Sequence, residues 1–338
     1  MVQAERQSQQ RTQERTTLQV RPAESTDKST LMHFKLSHGR KEDLNPACEP
    51  FWTTGLDYLG GDLHDEYWQS KTPMVSGQHG NVIWQRSGGL LFMAYQRPDD
   101  CSEDVSEIAC SSYRSMLNLA ISKGHGWPVR AWNFMPSINV GMSDNERYRR
   151  FCHGRASALD SVGVYSHKLC AASAIGSHEN LFRVYMLCSD SPVVNIDNPR
   201  QISAYKYPRQ YGPRGPSFAR ATGLYNDRQG YLLMIAGTAS IVGHATLHVG
   251  DVMLQLEETI QNIRSLLIAS ADKLGSVITT GCEFGNHTKL RVYVRHAGDW
   301  PMIEARLRKE WPRCRLAGLR GDICRAGLQV EIEAVTEV

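Results

Sequence analysis

Residues Tyr231–His244 read YLLMIAGTASIVGH, and Glu257–Ser270 soon after read EETIQNIRSLLIAS. The first is an apolar run of strand length closed by a glycine turn. The second is helical, because Leu256, Ile260, Ile263 and Leu267 recur at i, i+4, i+7 and i+11 and so form one buried stripe. Next come KLRVYVRHAGD (Lys289–Asp299), whose LRVYV alternates and is β-branched, and the basic segment PMIEARLRKEW (Pro301–Trp311). The unit is therefore strand, helix, strand, helix.

A looser copy lies upstream. Strand LLFMAY (Leu90–Tyr95) leads to helix SEIACSSYRSMLNLAISK (Ser106–Lys123), strand VRAWNFMPSIN (Val129–Asn139) and DNERYRRFCHGRASALD (Asp144–Asp160). YRSMLNLAISK mirrors IRSLLIASADK, and a further echo pairs YSHKLCAASAIGSH with LLMIAGTASIVGH. The expected fold is α+β: two related lobes, each a mixed sheet with helices on one face, with a site where the copies meet. Residues 1–30 hold six glutamines, no aromatic residue and few aliphatics, which predicts a flexible leader. The expected domains are then 31–195 and 196–338, the second carrying most of the active site.

Composition narrows the function. With 338 residues, 38 basic against 35 acidic, the net charge is +3, so no overall field marks a nucleic-acid or membrane-surface binder. Apolar runs fall far short of the roughly 20 residues that a membrane helix requires. The first residues lack a secretory core, which predicts a cytoplasmic protein. Nine cysteines without CxxC spacing predict reduced thiols and no zinc site. His153, His167, His178, His244, His248 and His287 show no ligand spacing, and neither a phosphate loop nor a GxGxxG turn is present. Chemistry without metal or cofactor is expected.

Between the copies, Asn198–Gly223 reads NPRQISAYKYPRQYGPRGPSFARATG: five basic residues, no acid, and tyrosines interleaved. Four prolines and three glycines exclude a regular helix. Guanidinium forks match carboxylates, and phenols add directed donors, so the block suits a small aromatic-like dianion. An exposed basic linker, or a single-strand nucleic-acid platform, would show the same pattern.

This block, running through ARATG into GTASIVGH, resembles the signature of the chorismatases, over roughly residues 40–338. The segment from Gly237 onward is also similar to the small RidA (YjgF) imine deaminases, through GTASIVGH, NIRSLLIA, KLRVYVR and VEIEA. The resemblance implies RidA-like, chorismate-mutase-like lobes that build a pseudo-trimer within a monomer. The deaminases' substrate-binding arginine aligns near Gly318 or Leu319 and is missing here, which lowers the expectation of imine hydrolysis.

The resemblance also implies an activity, the release of pyruvate from chorismate to leave a hydroxybenzoate. Chorismate carries two carboxylates, for which Arg209, Arg214 and Arg220 would serve, with Tyr205, Tyr207 and Tyr211 orienting the ring and Phe218 packing on it. Glu331 in LQVEIEAVTEV would be the catalytic acid, with Glu333 as fallback. By alternation alone, both glutamates could instead face solvent on an edge strand. Gly237 and Cys324 match the pair found in the 3-hydroxybenzoate-forming type, and Cys324 could equally be a core thiol. The nearest likeness is to bifunctional 3- and 4-hydroxybenzoate synthases, which feed pigment and ubiquinone synthesis. Arg155, from ERYRRFCHGR, is a further cleft candidate. The competing expectations are a RidA-type imine or enamine hydrolase and a non-catalytic binder of aromatic acids.

Overall fold

The computed structural model describes residues 18–21, 30–37, 51–70, 72–226, 230–275, 284 and 287–338. Cys48, Cys282 and most of the expected leader lie outside them. Three sheets surround one shared core. The smallest has β1 (Leu18–Arg21), β2 (Thr30–Lys35), β3 (Trp52–Thr53) and β5 (Asp65–Ser70) in the order β1-β5-β2-β3. Leu18–Arg21 falls within the span expected to be leader, yet it pairs antiparallel with β5. Composition underestimates that stretch because strand pairing uses backbone groups, which composition does not report.

The second sheet contains β6 (Val75–His79), β7 (Val82–Ser87), β8 (Leu90–Pro98), β9 (Trp127–Pro136), β10 (Ala171–Ser177) and β11 (Leu181–Ser189), with helices α1 (Val105–Ser122) and α2 (Arg147–Ser161). The third contains β4 (Asp57–Gly61), β12 (Val194–Ile196), β13 (Ala221–Asn226), β14 (Gly230–Ala239), β17 (Lys289–Val294), β18 (Arg315–Arg320) and β19 (Val330–Glu337), with helices α3 (Val252–Leu274) and α4 (Trp300–Glu310). A two-stranded ribbon, β15 (Ile241–Val242) and β16 (Ala245–Thr246), follows β14.

The strand orders reveal the repeat. The second sheet runs β10-β9-β11-β8-β7-β6, and the third, apart from its added edge strand β4, runs β18-β17-β19-β14-β13-β12. Each position has a counterpart, and in both sheets the one parallel pair is the equivalent one, β9/β10 and β17/β18. This α+β architecture of two related lobes is the expected one. The echo between YSHKLCAASAIGSH and LLMIAGTASIVGH is different: it pairs β10 with β14, whose true counterparts are β18 and β8. Similar apolar content explains that match, since any buried strand draws on the same residues. The third sheet also takes β4 from the first half of the chain, and β12 runs across the expected boundary at residue 196.

Helix periodicity explains the layers. Leu256, Ile260, Ile263 and Leu267 on α3 are buried with Leu233, Ile235, Val292 and Ile332 of the third sheet. Asp251 caps this helix by accepting from Leu254 N, and Gly275 ends it in the left-handed conformation at φ 64°. Helices α1 and α2 pack likewise on the second sheet. The sheet faces turned away from the helices meet each other and the small sheet around Phe34, Trp68, Phe92, Trp132, Tyr185 and Tyr293. The central strands β17 and β19 are consequently covered on both faces, and this is what buries polar residues on β19.

Candidate active site

Where the two lobes meet, a cavity of about 360 Å³ is lined from four directions. Strands β14 and β19 contribute Gly237, Ala239 and Glu331. The segment leading into α2 contributes Asn139, Gly141 and Glu146, and the first turn of α2 contributes Tyr148 and Arg149. The proline-rich block contributes Tyr207, Tyr211, Pro216, Phe218 and Arg220, and the turn after β18 contributes Cys324, Arg325 and Ala326.

Glu331 is buried on β19, opposite Ala239 of β14 and Tyr293 of β17. Its carboxyl is pushed up to about 8, first by burial and then by the negative charge of Glu333, against the pull of Arg130 and Arg220. At neutral pH it therefore holds a proton. Room for it comes from Gly237: a β-carbon there would land on Glu331 Oε1 and stand 2.7 Å from Cδ. Gly237 lies in a bulge, because the pairing of β14 with β19 shifts register between Ile235 and Thr238. Glu333 shares the inward face but sits in a salt network with Arg130 and Arg291, away from the lining.

Cys324 and Tyr148 flank Glu331. Burial pushes the Cys324 thiol up to about 12, with the neighbouring Glu331 adding to the effect, and burial beside Cys152 and Cys324 raises the Tyr148 phenol well above its usual value. Both are neutral at physiological pH.

Three arginines line the cavity. Arg220 donates from Nη2 to Tyr207 Oη at 2.7 Å and to Ile202 O at 3.0 Å, while its Nε is buried and unpaired. Arg325 donates to His244 O at 2.9 Å and Thr246 Oγ1 at 3.0 Å, and lies 4.1 Å from the centroid of the Tyr211 ring. Arg149 donates from Nε to Glu146 Oε2 at 2.9 Å. Tyr207 and Tyr211 pack with ring centroids 5.5 Å apart, and the Tyr211 hydroxyl is 3.2 Å from His244 Nδ1. The arrangement offers fixed cations and aromatic faces around one protonated carboxyl, suited to an aromatic-like dianion that needs a proton.

Several anticipated residues stand elsewhere. Arg209 makes a two-pronged pair with Asp144 at 2.8 and 2.5 Å, with 67% of its side chain exposed. Arg214 pairs with Asp160 at 2.7 Å, also in solvent. Neither lines the cavity, since each has a surface carboxylate within reach that spares it desolvation. Arg155 is buried on the face of α2 turned to α1, with its guanidinium 5.0 Å from the Tyr113 ring, and Tyr205 packs against the core formed with α1 and α2. Arg325, Arg149 and Tyr148 were not anticipated. Arg325 adjoins Cys324, and Tyr148 and Arg149 belong to the same ERYRRFCHGR segment as Arg155, so position near a singled-out residue was the available signal.

Comparisons with known proteins show what the whole chain resembles. A family model described as chorismatase FkbO/Hyg5-like, N-terminal, matches residues 66–188. A 3-hydroxybenzoate synthase of Streptomyces hygroscopicus is 33% identical over 310 residues, covering 89% of this chain and 86% of its own length. A chorismatase of Streptomyces rapamycinicus is 35% identical over 281 residues, 80% of this chain and 81% of its own. A crystal structure of a chorismatase superposes with a TM-score of 0.80 at 28% identity, covering 95% of this chain and 98% of the other.

Proposed function

This chain belongs to the chorismatase family of chorismate-cleaving enzymes, and from that premise we propose that it converts chorismate to 3-hydroxybenzoate and pyruvate, with Glu331 as the acid. The observation that carries the reading is a carboxyl kept protonated by burial in a cavity that also holds Arg149, Arg220 and Arg325.

Glu331 delivers its proton to the terminal methylene of the enolpyruvyl group, and the ether carbon becomes an oxocarbenium ion. The hydroxyl on the adjacent ring carbon attacks the carbon that bears the ether, giving up its proton and displacing pyruvate. The ring oxide so formed then breaks its bond to the original hydroxyl carbon as that carbon loses its proton, so the ring aromatises with the oxygen at position 3. Hydroxybenzoate and pyruvate together have the composition of chorismate, so no water is consumed. Simple hydrolysis to a dihydroxy-cyclohexadiene carboxylate would consume one. A neutral thiol at Cys324 favours the first course by offering a polarizable neighbour rather than an ordered water, and Gly237 contributes by seating the Glu331 carboxyl beside the ring.

Arg220 and Arg325 are the residues we assign to the carboxylates, with Tyr207, Tyr211 and Phe218 against the ring. The reading extends to some 4-hydroxybenzoate as a second product, to supply of pigment or ubiquinone synthesis, and to action as a monomer, since one chain already encloses the cavity. Among the described residues no helix is long and apolar enough to cross a membrane.

Incubation of purified protein with chorismate, without additives, and chromatography of the mixture tests the proposal. Pyruvate and 3-hydroxybenzoate should appear in equal amounts. No pyruvate sinks the reading, and pyruvate with only the hydrolysis product moves the enzyme to the other branch. Cys324→Ala should shift product toward hydrolysis while pyruvate release continues.

A further inference from the structure

On the inward face of β19, two residues beyond Glu331, the Glu333 carboxylate is the centre of a buried polar network between the lobes. Arg130 of β9 and Ser173 of β10 both donate to its Oε2, the serine at 2.6 Å. Trp132 Nε1 donates to Oε1 at 3.0 Å, and Arg291 Nη1 lies 3.4 Å from that oxygen while its Nε reaches Glu66 at 3.0 Å. These charged side chains are at most 6% exposed. Two guanidinium groups face two carboxylates, with the buried Lys289 amine near Glu66.

Ser173 is the member that joins this network to the cavity. Its hydroxyl donates to Glu333, accepts from Arg130 Nη2 at 2.5 Å, and accepts from the Gly237 N–H at 3.1 Å. One proton and two lone pairs are thereby all engaged. The bulge takes Gly237 out of the ladder with β19, and its N–H finds this hydroxyl instead. The same glycine is the one whose missing β-carbon makes space for Glu331.

We propose that Ser173 is a positioning residue for the acid: supported by Arg130 and Glu333, it pins the Gly237 bulge and so holds open the seat of the Glu331 carboxyl. This rests on the reading of Glu331 as the acid. The same network sets the charge that Glu331 feels. Facing Glu331 are Glu333 on its own strand, Tyr293 on β17, Arg130 on β9 and Arg220 ahead of β13. Cys324 and Tyr148 stand on the cavity side, where Arg325 and the paired Arg149 and Glu146 complete the charged lining.

Steady-state pyruvate release by the full chain, measured against pH for Ser173→Ala, Ser173→Thr, Glu333→Gln and Glu331→Gln, tests the proposal. Ser173→Ala should lower kcat by about tenfold or more with KM within about threefold, and Ser173→Thr should recover part of the loss by restoring the hydroxyl. Glu333→Gln removes a negative neighbour and leaves Arg130 uncompensated. Both changes favour the Glu331 carboxylate, so the basic limb of kcat should move to lower pH, a shift that a scaffold role alone would not produce. Wild-type kcat in Ser173→Ala together with an unmoved limb in Glu333→Gln overturns the proposal. Should Ser173→Ala fail to fold, the limb in the near-isosteric Glu333→Gln decides. Full turnover in Glu331→Gln instead overturns the acid assignment, which separates the two failures.

Discussion

Gly237 and Glu331 occupy one space between them: the glutamate's Oε1 sits where a β-carbon on residue 237 would be. Strand β14 yields that space through a bulge, and β19 fills it with a carboxyl that burial keeps protonated. A backbone irregularity in one strand and a side chain of its neighbour thus make a single structural feature, the seat of the proposed acid.

Gly237→Ala follows directly. The added methyl must displace the carboxyl, because the glutamate is the movable partner and the strand backbone is not. We expect turnover to fall by about tenfold or more, part of the roughly 10²–10⁴-fold that a positioned general acid contributes, with the fold retained. Pyruvate release and thermal unfolding of the same preparation measure both.

The pH dependence of Glu331 has a definite sign. As an acid it works while protonated, so kcat should be flat at neutral pH and decline as pH rises through about 8. Glu331→Gln should lose at least about a hundredfold at every pH and show no such limb.

Substitution of Glu331 by glutamine should act on stability and on activity in opposite directions. The folded carboxyl holds its proton up to about 8 against an ordinary value of 4.5. Below 4.5 both folded and unfolded chains are protonated and folding incurs no penalty. As pH rises from there to about 8, the unfolded chain releases the proton and the folded chain does not, so stability falls across that window. Glutamine escapes this penalty, which is on the order of a few kcal/mol. The unfolding midpoint of Glu331→Gln should exceed that of the wild type at pH 8, with the gap closing toward pH 5. A constant gap would mean that the carboxyl is ionised in the fold.

Arginines separate the cavity from the surface. Arg220→Ala and Arg325→Ala should raise KM for chorismate by about tenfold or more, the worth of a charge-assisted hydrogen bond. Arg209→Ala and Arg214→Ala remove only exposed pairs, which solvent and salt screen, and should leave KM nearly unchanged. A large KM effect at Arg209 would bring the block's surface arginines back into the binding scheme.

Packing of the first lobe depends on Gly154, where α2 touches α1. A β-carbon there would lie 2.6 Å from the Ser106 carbonyl carbon. Gly154→Ala should force the helices apart and destabilise by about 1–3 kcal/mol, read from denaturant unfolding, while KM changes little.

Much of this was legible in the chain alone. The stripe at Leu256, Ile260, Ile263 and Leu267 and the alternation in LRVYV assign helix and strand, and their recurrence upstream announces two lobes, because 3.6 and 2 are the only periods that bury one face of a helix or strand. Alternation also puts Glu331 and Glu333 on one face. Whether that face meets water is a different matter, since it depends on a second sheet contributed by residues about 150 positions or more away in sequence. There β9 and β10 cover it with Arg130 and Ser173, and this burial raises the proton affinity of one glutamate while the other is neutralised by arginine. The proline-rich block announced an anion site by composition, but with no period its backbone assigns no side chain to inside or outside. Only the folded chain, by offering Asp144 and Asp160 to Arg209 and Arg214 and leaving Arg220 in the cavity with Arg325, decided which guanidinium groups are available to a substrate.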